Sequence, residues 1–236
     1  MRTRFLLSAL SLLSLPVQAA DTAHEFGHVD PTNYVIAGEI DGADGKQGGL
    51  MTWDAFGWIG NDDHKFWWRT EGEREAGETE DAEIWALYSR NVAAFWDLQG
   101  GLRHDTQPSS TSYLVVGVQG LSRYFFESDA HAFVSDEGDL TARLEQSVDL
   151  LITQKLITEP YAEINLAAQD VPELRMGAGL SNYEIGLQTR YEFSRKFAPY
   201  LDLNYTQLVG QSRRFARDDD ESTSEFTARV GLRFWF

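Results

Sequence analysis

The sequence F-T-A-R-V-G-L-R-F-W-F, residues 226–236, ends the chain and decides the fold. Because alternate side chains of a strand point to opposite faces, six apolar residues share one face of this segment and two arginines lie on the other. An apolar face, a polar face and an aromatic end are typical of the closing strand of an outer-membrane β-barrel. We therefore interpret Phe234, Trp235 and Phe236 as an assembly signal for the cell's barrel-assembly machinery.

The same alternation recurs along the chain and predicts further strands. They are expected near residues 33–40, 50–59, 64–72, 80–90, 95–104, 112–120, 124–134, 140–152, 156–168, 179–193, 198–210 and 223–236. Short and long connections alternate between them, as the tight periplasmic turns and longer external loops of a barrel do. The sequence thus predicts an all-β fold, an up-and-down antiparallel transmembrane β-barrel of about 12 strands. The alternative is a soluble, lipocalin-type barrel with an apolar interior.

Aromatic side chains cluster beside the short connections. They are Trp58, Phe66, Tyr88, Phe95, Trp96, Tyr124, Phe193, Phe197, Trp235 and Phe236. Aromatic rings collect at the interfaces of membrane barrels, so this set predicts an aromatic belt at one membrane boundary.

Residues 1–19 have the pattern of a secretory signal peptide. Basic residues precede a short apolar run, and Ala19 and Ala20 provide small residues for cleavage. A membrane-spanning helix needs about 20 apolar residues, so this run is too short to be one. We expect a flexible leader over 20–32 and a barrel over 33–236, located in a Gram-negative outer membrane.

The composition is acidic and lacks cysteine. The chain has 20 Lys and Arg residues against 37 Asp and Glu residues, a net charge of -17 at pH 7. Such a chain repels nucleic acid, so no nucleic-acid partner is expected. Without cysteine there is neither a disulfide framework nor a thiolate metal site. The motifs G-x-S-x-G and H-E-x-x-H are also missing, so we do not expect an enzyme.

Eight segments carry a resemblance that spans nearly the whole chain from about residue 31. They are R-T-E-G-E-R at 69–74, A-L-Y-S-R at 86–90, F-W-D-L-Q-G-G-L-R-H-D at 95–105, G-V-Q-G-L at 117–121, D-L-L-I-T-Q-K-L-I at 149–157, G-A-G-L-S at 177–181, G-L-Q-T-R-Y-E-F-S-R-K-F-A-P-Y at 186–200 and G-L-R-F-W-F at 231–236. In this order they resemble the outer-membrane copper resistance protein B (CopB) family. The resemblance implies an outer-membrane barrel that acts in copper resistance, copper as its ligand, and a periplasmic copper oxidase as a partner.

The leader contains the first candidate metal site. The resemblance implies an amino-terminal extension rich in Met and His, but here the leader holds only His24 and His28 with acidic neighbours. Two imidazoles and a carboxylate could hold a cupric or zinc ion. The alternative is a solvated leader without a metal site.

Strand parity places a second set of candidates in the barrel lumen. They are Glu71, Asp97, Glu127, Asp129, His131, Glu145, Asp149, Glu163, Glu184, Glu192 and Asp202. One interpretation is an interior that binds or selects cations, and the other is a plug of paired charges that stiffens the barrel. The function therefore stays open between a barrel that binds or limits copper, a narrow cation-selective channel and a structural barrel without transport.

Two acidic clusters, 71–73 and 218–221, are interpreted as outward-facing loops. Carboxylates suit calcium and magnesium, which could bridge these loops to lipopolysaccharide. The expected surroundings are therefore outer-membrane lipid and lipopolysaccharide. Simple solvation explains the clusters as well.

Overall fold

The computed structural model describes residues 32–44, 48–194 and 196–236. Within them the strands form one antiparallel sheet. The strands are β1 Asn33–Asp44, β2 Gly49–Gly60, β3 His64–Glu75, β4 Glu78–Ala93, β5 Trp96–Gln107, β6 Thr111–Leu121, β7 Glu127–Ser135, β8 Leu140–Ser147, β9 Leu150–Leu151, β10 Leu156–Ala167, β11 Gly179–Tyr191, β12 Phe197–Leu208 and β13 Ser224–Trp235. The helix α1 spans Ser212–Asp218, and short 3₁₀ turns occupy Arg123–Phe125 and Pro172–Leu174.

The first and last strands pair with each other and close the sheet into a barrel. Ala37 of β1 lies opposite Trp235 of β13. Beyond β13, the amide of Phe236 donates to the carbonyl oxygen of Ile36 at 2.8 Å, and the amide of Ile36 donates to that of Phe236 at 3.0 Å. Since β8 and β9 both pair with β10, they count as one barrel strand. The barrel thus has 12 strands, and the predicted fold is confirmed.

The break between β8 and β9 was not predicted, and Pro160 explains it. Register places Pro160 of β10 opposite residue 148, which lies in the gap between the two strands. The amide of Val148 still donates to the carbonyl oxygen of Pro160 at 3.3 Å. Proline has no N–H to return a bond, so the ladder is interrupted at this point.

The outer surface of the barrel is apolar and its interior is polar. Exposed side chains include Ile84, Leu114 and Val230, at 56%, 65% and 66% exposure. Buried side chains include Glu83 and Asp202, each at 0%. This is the reverse of a lipocalin-type barrel, so that alternative is excluded. A charge at the lipid midplane costs about 2–4 kcal/mol, which explains why the charged residues keep to the inner face.

We call the end of the barrel opposite Phe236 the loop end. Several connections between strands at this end are shorter than predicted. Residues 76–77 alone join β3 to β4, and 108–110 join β5 to β6, no more than the 61–63 turn at the opposite end. Among the connections of this end that the structure describes in full, the long ones are 168–178 and 209–223. The expected regular alternation of loop length was therefore wrong for these connections, because strand pairing continues through polar residues that were taken for loops.

The predicted aromatic belt needs one correction. Phe66, Tyr88 and Phe95 are exposed, as a belt requires. Trp58 and Trp235 instead pack against a buried apolar cluster inside the barrel. Alternate side chains of a strand point to opposite faces, and both tryptophans occupy positions of the inward face.

The two long connections contact each other. The amide of Gly177 donates to Ser212 Oγ at the start of α1, at 2.7 Å. Arg175 forms ion pairs with Asp219 and Glu221, and the hydrogen bond to Glu221 raises the pKa of Arg175. The acidic run 218–221 is thus partly neutralised by its neighbour. Among the described residues, no helix is long and apolar enough to cross a membrane.

Candidate functional site

The structure places most of the predicted lumen residues inside the barrel. The buried ones are Glu71, Asp97, Glu127, Asp129, His131, Glu145, Glu163, Glu184 and Asp202. Asp149 and Glu192 are partly buried and lie beside Arg190, with Glu192 Oε1 3.8 Å from Arg190 Nε. The interpretation of 71–73 as an outward loop was wrong for Glu71, which is 1% exposed in the middle of β3.

The amino-terminal candidates fall outside the described residues. The predicted signal peptide, nearly all of the leader and both His24 and His28 lie within 1–31. These assignments stay predictions.

A first row of carboxylates runs across β2, β3, β4 and β5, each opposite the next. Its members are Asp54, Glu71, Glu83 and Asp105. Three arginines form ion pairs with it and offset three of its four negative charges. Arg69 Nη2 lies 2.9 Å from Glu71 Oε2, and Arg103 Nη2 lies 2.5 Å from Glu83 Oε2. Arg143 Nη1 lies 2.6 Å from Glu71 Oε1 and 3.1 Å from Glu83 Oε1. We call these four carboxylates the arginine-paired row.

Arg143 reaches this row from across the lumen. It belongs to β8, which stands five strands from β3 in the order of a 12-stranded barrel. A direct contact from Arg143 to Glu71 therefore spans the interior. Two opposite walls are joined by side chains at this level.

Aromatic side chains fill the same level. Trp85 and Phe133 are 1% and 2% exposed, and their rings meet edge to face at 5.2 Å. The guanidinium carbons of Arg69, Arg103 and Arg143 lie 5.5, 5.7 and 5.7 Å from the centre of the Trp85 ring. Cations over an aromatic face are attracted by its quadrupole, more strongly where water is excluded. We call Trp85, Phe133 and these three arginines the lumen cluster.

The aromatic half of the lumen cluster was not predicted. The interior positions expected from the sequence were all charged or polar. Strand parity could have found the rings, because Trp85 follows the inward Glu83 by two residues and Phe133 follows His131 by two.

His131 belongs to a chain of amide side chains. Its Nε2 lies 2.8 Å from Gln99 Oε1, and Gln99 Nε2 donates to Gln119 Oε1 at 2.7 Å. The ring also meets Trp85 edge to face at 5.4 Å. Since a carboxamide oxygen only accepts, the hydrogen bond engages the Nε2 proton of His131. The imidazole is thus held by neutral groups.

A second row of carboxylates lies on β7, β8 and β10. Register puts Asp129 opposite Glu145, and Glu145 opposite Glu163. We call these three the carboxylate row. Cross-strand neighbours are about 5 Å apart, and two like charges at that distance repel by roughly 3 kcal/mol at an effective dielectric constant of about 20.

The carboxylate row lacks the arginines that the first row has. Within the described ranges, neither Asp129 nor Glu145 has a lysine or arginine in ion-pair contact. Arg143 Nε approaches only Glu163, at 3.9 Å. Asp129 Oδ1, Glu145 Oε2 and Glu163 Oε2 are buried without a hydrogen-bond partner there.

Tyr161 stands beside the carboxylate row and links it to the next acids. A Cβ on Gly186 would lie 2.0 Å from the Tyr161 ring, so the glycine lets the ring lie across the wall. Tyr161 Oη donates to Glu184 Oε1 at 3.2 Å and to Asp202 Oδ1 at 3.3 Å. The three row carboxylates, Glu127 and Tyr161 line one cavity.

Direct metal ligation is not built into the described residues. No three His, Asp or Glu side chains among them are placed to hold one metal ion. The buried donors are carboxylate oxygens, which suit hard or borderline divalent cations, whereas the soft cuprous ion prefers sulfur and imidazole ligands.

A protein family described as copper resistance protein B precursor (CopB) matches residues 32–236. The copper resistance protein B homolog of Pseudomonas syringae pv. tomato is 36% identical over 221 residues, which cover 93% of this chain and 75% of the relative. Copper resistance protein B of Escherichia coli is 36% identical over 230 residues, covering 94% and 78%. None of these descriptions is that of an enzyme family.

Two solved porins share the fold. The NanC porin aligns with a TM-score of 0.56 at 13% identity and covers 86% of this chain and 99% of its own. The KdgM porin aligns with a TM-score of 0.53 at 10% identity and covers 85% and 98%. At these identities the likeness shows the fold alone. Together with the family match and the apolar outer surface, it places the protein in the outer membrane.

Proposed function

Because the chain belongs to the copper resistance protein B family, we propose that it binds copper ions at the outer membrane and limits the amount that passes inward. The observation that carries this proposal is the charge of the interior. Of the buried side chains in the described ranges, twelve are carboxylates and five are arginines. An excess of negative charge within low-dielectric walls raises the local concentration of cations.

The leader and the surroundings complete the proposal. His24 and His28 offer imidazoles that would add a weak copper contact ahead of the barrel. The proposed partners are lipid, lipopolysaccharide and the assembly machinery, with a periplasmic copper oxidase on the strength of the family resemblance.

A narrow cation-selective channel is the second candidate. The acidic interior favours it, because carboxylates attract cations and repel anions. The lumen cluster weighs against free diffusion, since side chains from opposite walls meet there. Binding or restriction of copper therefore fits the interior better than an open passage does.

A deletion strain tests the proposed function. We expect cells without the protein to stop growing at lower copper concentrations than the parent, and a plasmid copy to restore growth. Zinc and nickel at matched toxicity serve as controls and should affect both strains equally. Unchanged copper sensitivity, with the protein shown to be present in the parent's outer membrane, would contradict the proposal.

A further inference from the structure

We infer that the carboxylate row of Asp129, Glu145 and Glu163 binds a hydrated divalent cation, cupric copper in the proposed function on which this inference rests. The row is a built feature of the wall. Its members occupy successive inward positions on β7, β8 and β10 in direct register. They are 5%, 8% and 4% exposed.

The unpartnered oxygens point to a missing positive group. Asp129 Oδ1 and Glu145 Oε2 are buried without a hydrogen-bond partner in the described part of the chain. They line a common cavity with Glu163, so the free lone pairs face one space. Buried carboxylates that stay ionised in native proteins are paired, hydrogen-bonded or bound to a cation.

The arginine-paired row provides an internal comparison. It has the same cross-strand arrangement of acids on the opposite wall, and Arg69, Arg103 and Arg143 form ion pairs with it. The same barrel thus offsets most of the charge of one row with its own side chains and leaves the other to an external positive charge. A strand sequence that needed only stiffness would carry a basic residue opposite Glu145, as cross-strand pairs of opposite charge are stabilising.

The spacing selects the kind of ion. Because no three acidic or His side chains in the described ranges converge on one metal position, the ion keeps a shell of water between itself and the carboxylates. Oxygen ligands and retained water suit a hydrated divalent ion, such as magnesium or cupric copper. A cuprous ion finds neither sulfur nor a free imidazole at this row.

Copper titration of the purified barrel in detergent tests the inference. Cupric sulfate is added to wild type, to the double variant D129N/E145Q and to the control E137Q. The control removes one exposed acid from the connection between β7 and β8, the strands that carry Asp129 and Glu145. Bound copper is counted by equilibrium dialysis, and its ligands are identified by electron paramagnetic resonance. We expect wild type and E137Q to bind one ion at the row with oxygen ligands only, in competition with excess magnesium. We expect the double variant to bind it at least tenfold more weakly. Any copper held by His24 and His28 should show a separate nitrogen-ligand signal that is the same in all three proteins.

The unfolding temperature gives a second test, one that can be measured without any bound copper. Without divalent ions, D129N/E145Q should unfold at a higher temperature than wild type, because like charges are removed from a buried row. Copper should raise the unfolding temperature of wild type and leave that of the double variant unchanged. Heat-modifiable mobility on gels verifies that each protein is folded.

The possible failures are distinguishable. Equal copper affinity in wild type and D129N/E145Q would overturn this inference and leave the proposed function standing. A wild-type protein that binds no copper at all would overturn both. A double variant less stable than wild type without metal would show that the row is neutralised in some other way, and would also refute the inference.

Discussion

Arg143 contacts both central carboxylates of the arginine-paired row, Glu71 and Glu83, from the opposite wall of the barrel. Replacement by methionine keeps much of its length and removes its charge, which leaves Glu71 and Glu83 short of a counter-ion inside the barrel. Removing one partner of a buried ion pair typically costs about 3–5 kcal/mol. We expect Arg143→Met to lower the free energy of unfolding in detergent by this amount, measured by urea titration.

The matched control is Arg175→Met in the long connection before β11. Arg175 pairs with Asp219 and Glu221, but its side chain is 51% exposed. Exposed ion pairs contribute at most about 1 kcal/mol, so this variant should unfold close to wild type. Similar losses in the two variants would mean that the barrel interior is as well hydrated as its surface.

Sequence patterns predict the direction of single side chains better than their partners. Parity placed both Glu71 and Asp129 in the interior, and both are buried there. It could not show that Arg143 reaches Glu71 across the lumen, or that no arginine of the described ranges pairs with Asp129. Arg69 lies two positions from Glu71 on the same strand, but the second partner of Glu71, Arg143, lies 72 positions away, and that contact depends on the diameter of the closed barrel. Ion pairs across the lumen depend on how the sheet closes into a barrel, which the local sequence does not show.

Among the structural elements, the terminal strand has the most direct role in closing the barrel. Phe236 exchanges two backbone hydrogen bonds with Ile36 and is itself 61% exposed on the outer face. We expect Phe236→Asp, or deletion of Phe236, to reduce the amount of folded barrel in the outer membrane several-fold. The charge would interrupt the apolar face that the assembly machinery and the lipid both contact. Membrane fractionation and heat-modifiable mobility measure this amount.

Phe236→Tyr is the control for that experiment. It keeps an aromatic ring at an interface where tyrosine is common, so assembly should stay near the wild-type level. If Phe236→Asp reached the wild-type amount of folded barrel in the outer membrane, the prediction would be wrong, because a charged residue at the end of β13 would not impair assembly.

The ends of a strand were predictable where the alternation of apolar and polar side chains stops. They were not predictable where a missing backbone hydrogen bond ends the strand. Alternation identified every barrel strand, because one face is lipid and the other is polar. It missed the break after β8, since the side chains keep alternating through residues 148 and 149. The signal was on the neighbouring strand, where Pro160 removes a ladder donor. It missed α1 as well, because a helix of seven residues in a loop has no long apolar period to reveal it.

At the scale of the whole molecule, we expect the lumen cluster to decide whether the barrel conducts ions. Walls five strands apart meet through Arg143, and Trp85 is buried at the same level. A barrel of 12 strands is wider than the eight-stranded kind that side chains fill completely. We therefore expect ion passage to depend on these few side chains more than on strand number. The family pattern predicts the barrel, but it gives no measure of how far its interior is filled.

Planar bilayer recordings test this point. We expect wild type to show almost no steady conductance. Trp85→Ala should raise the conductance several-fold, because it removes the largest side chain of the lumen cluster. The current should prefer cations, since acids outnumber arginines inside. Ile84→Ala is the control, because Ile84 precedes Trp85 and points outward at 56% exposure. A large conductance in wild type, equal in both variants, would contradict a closed lumen and favour the diffusion channel.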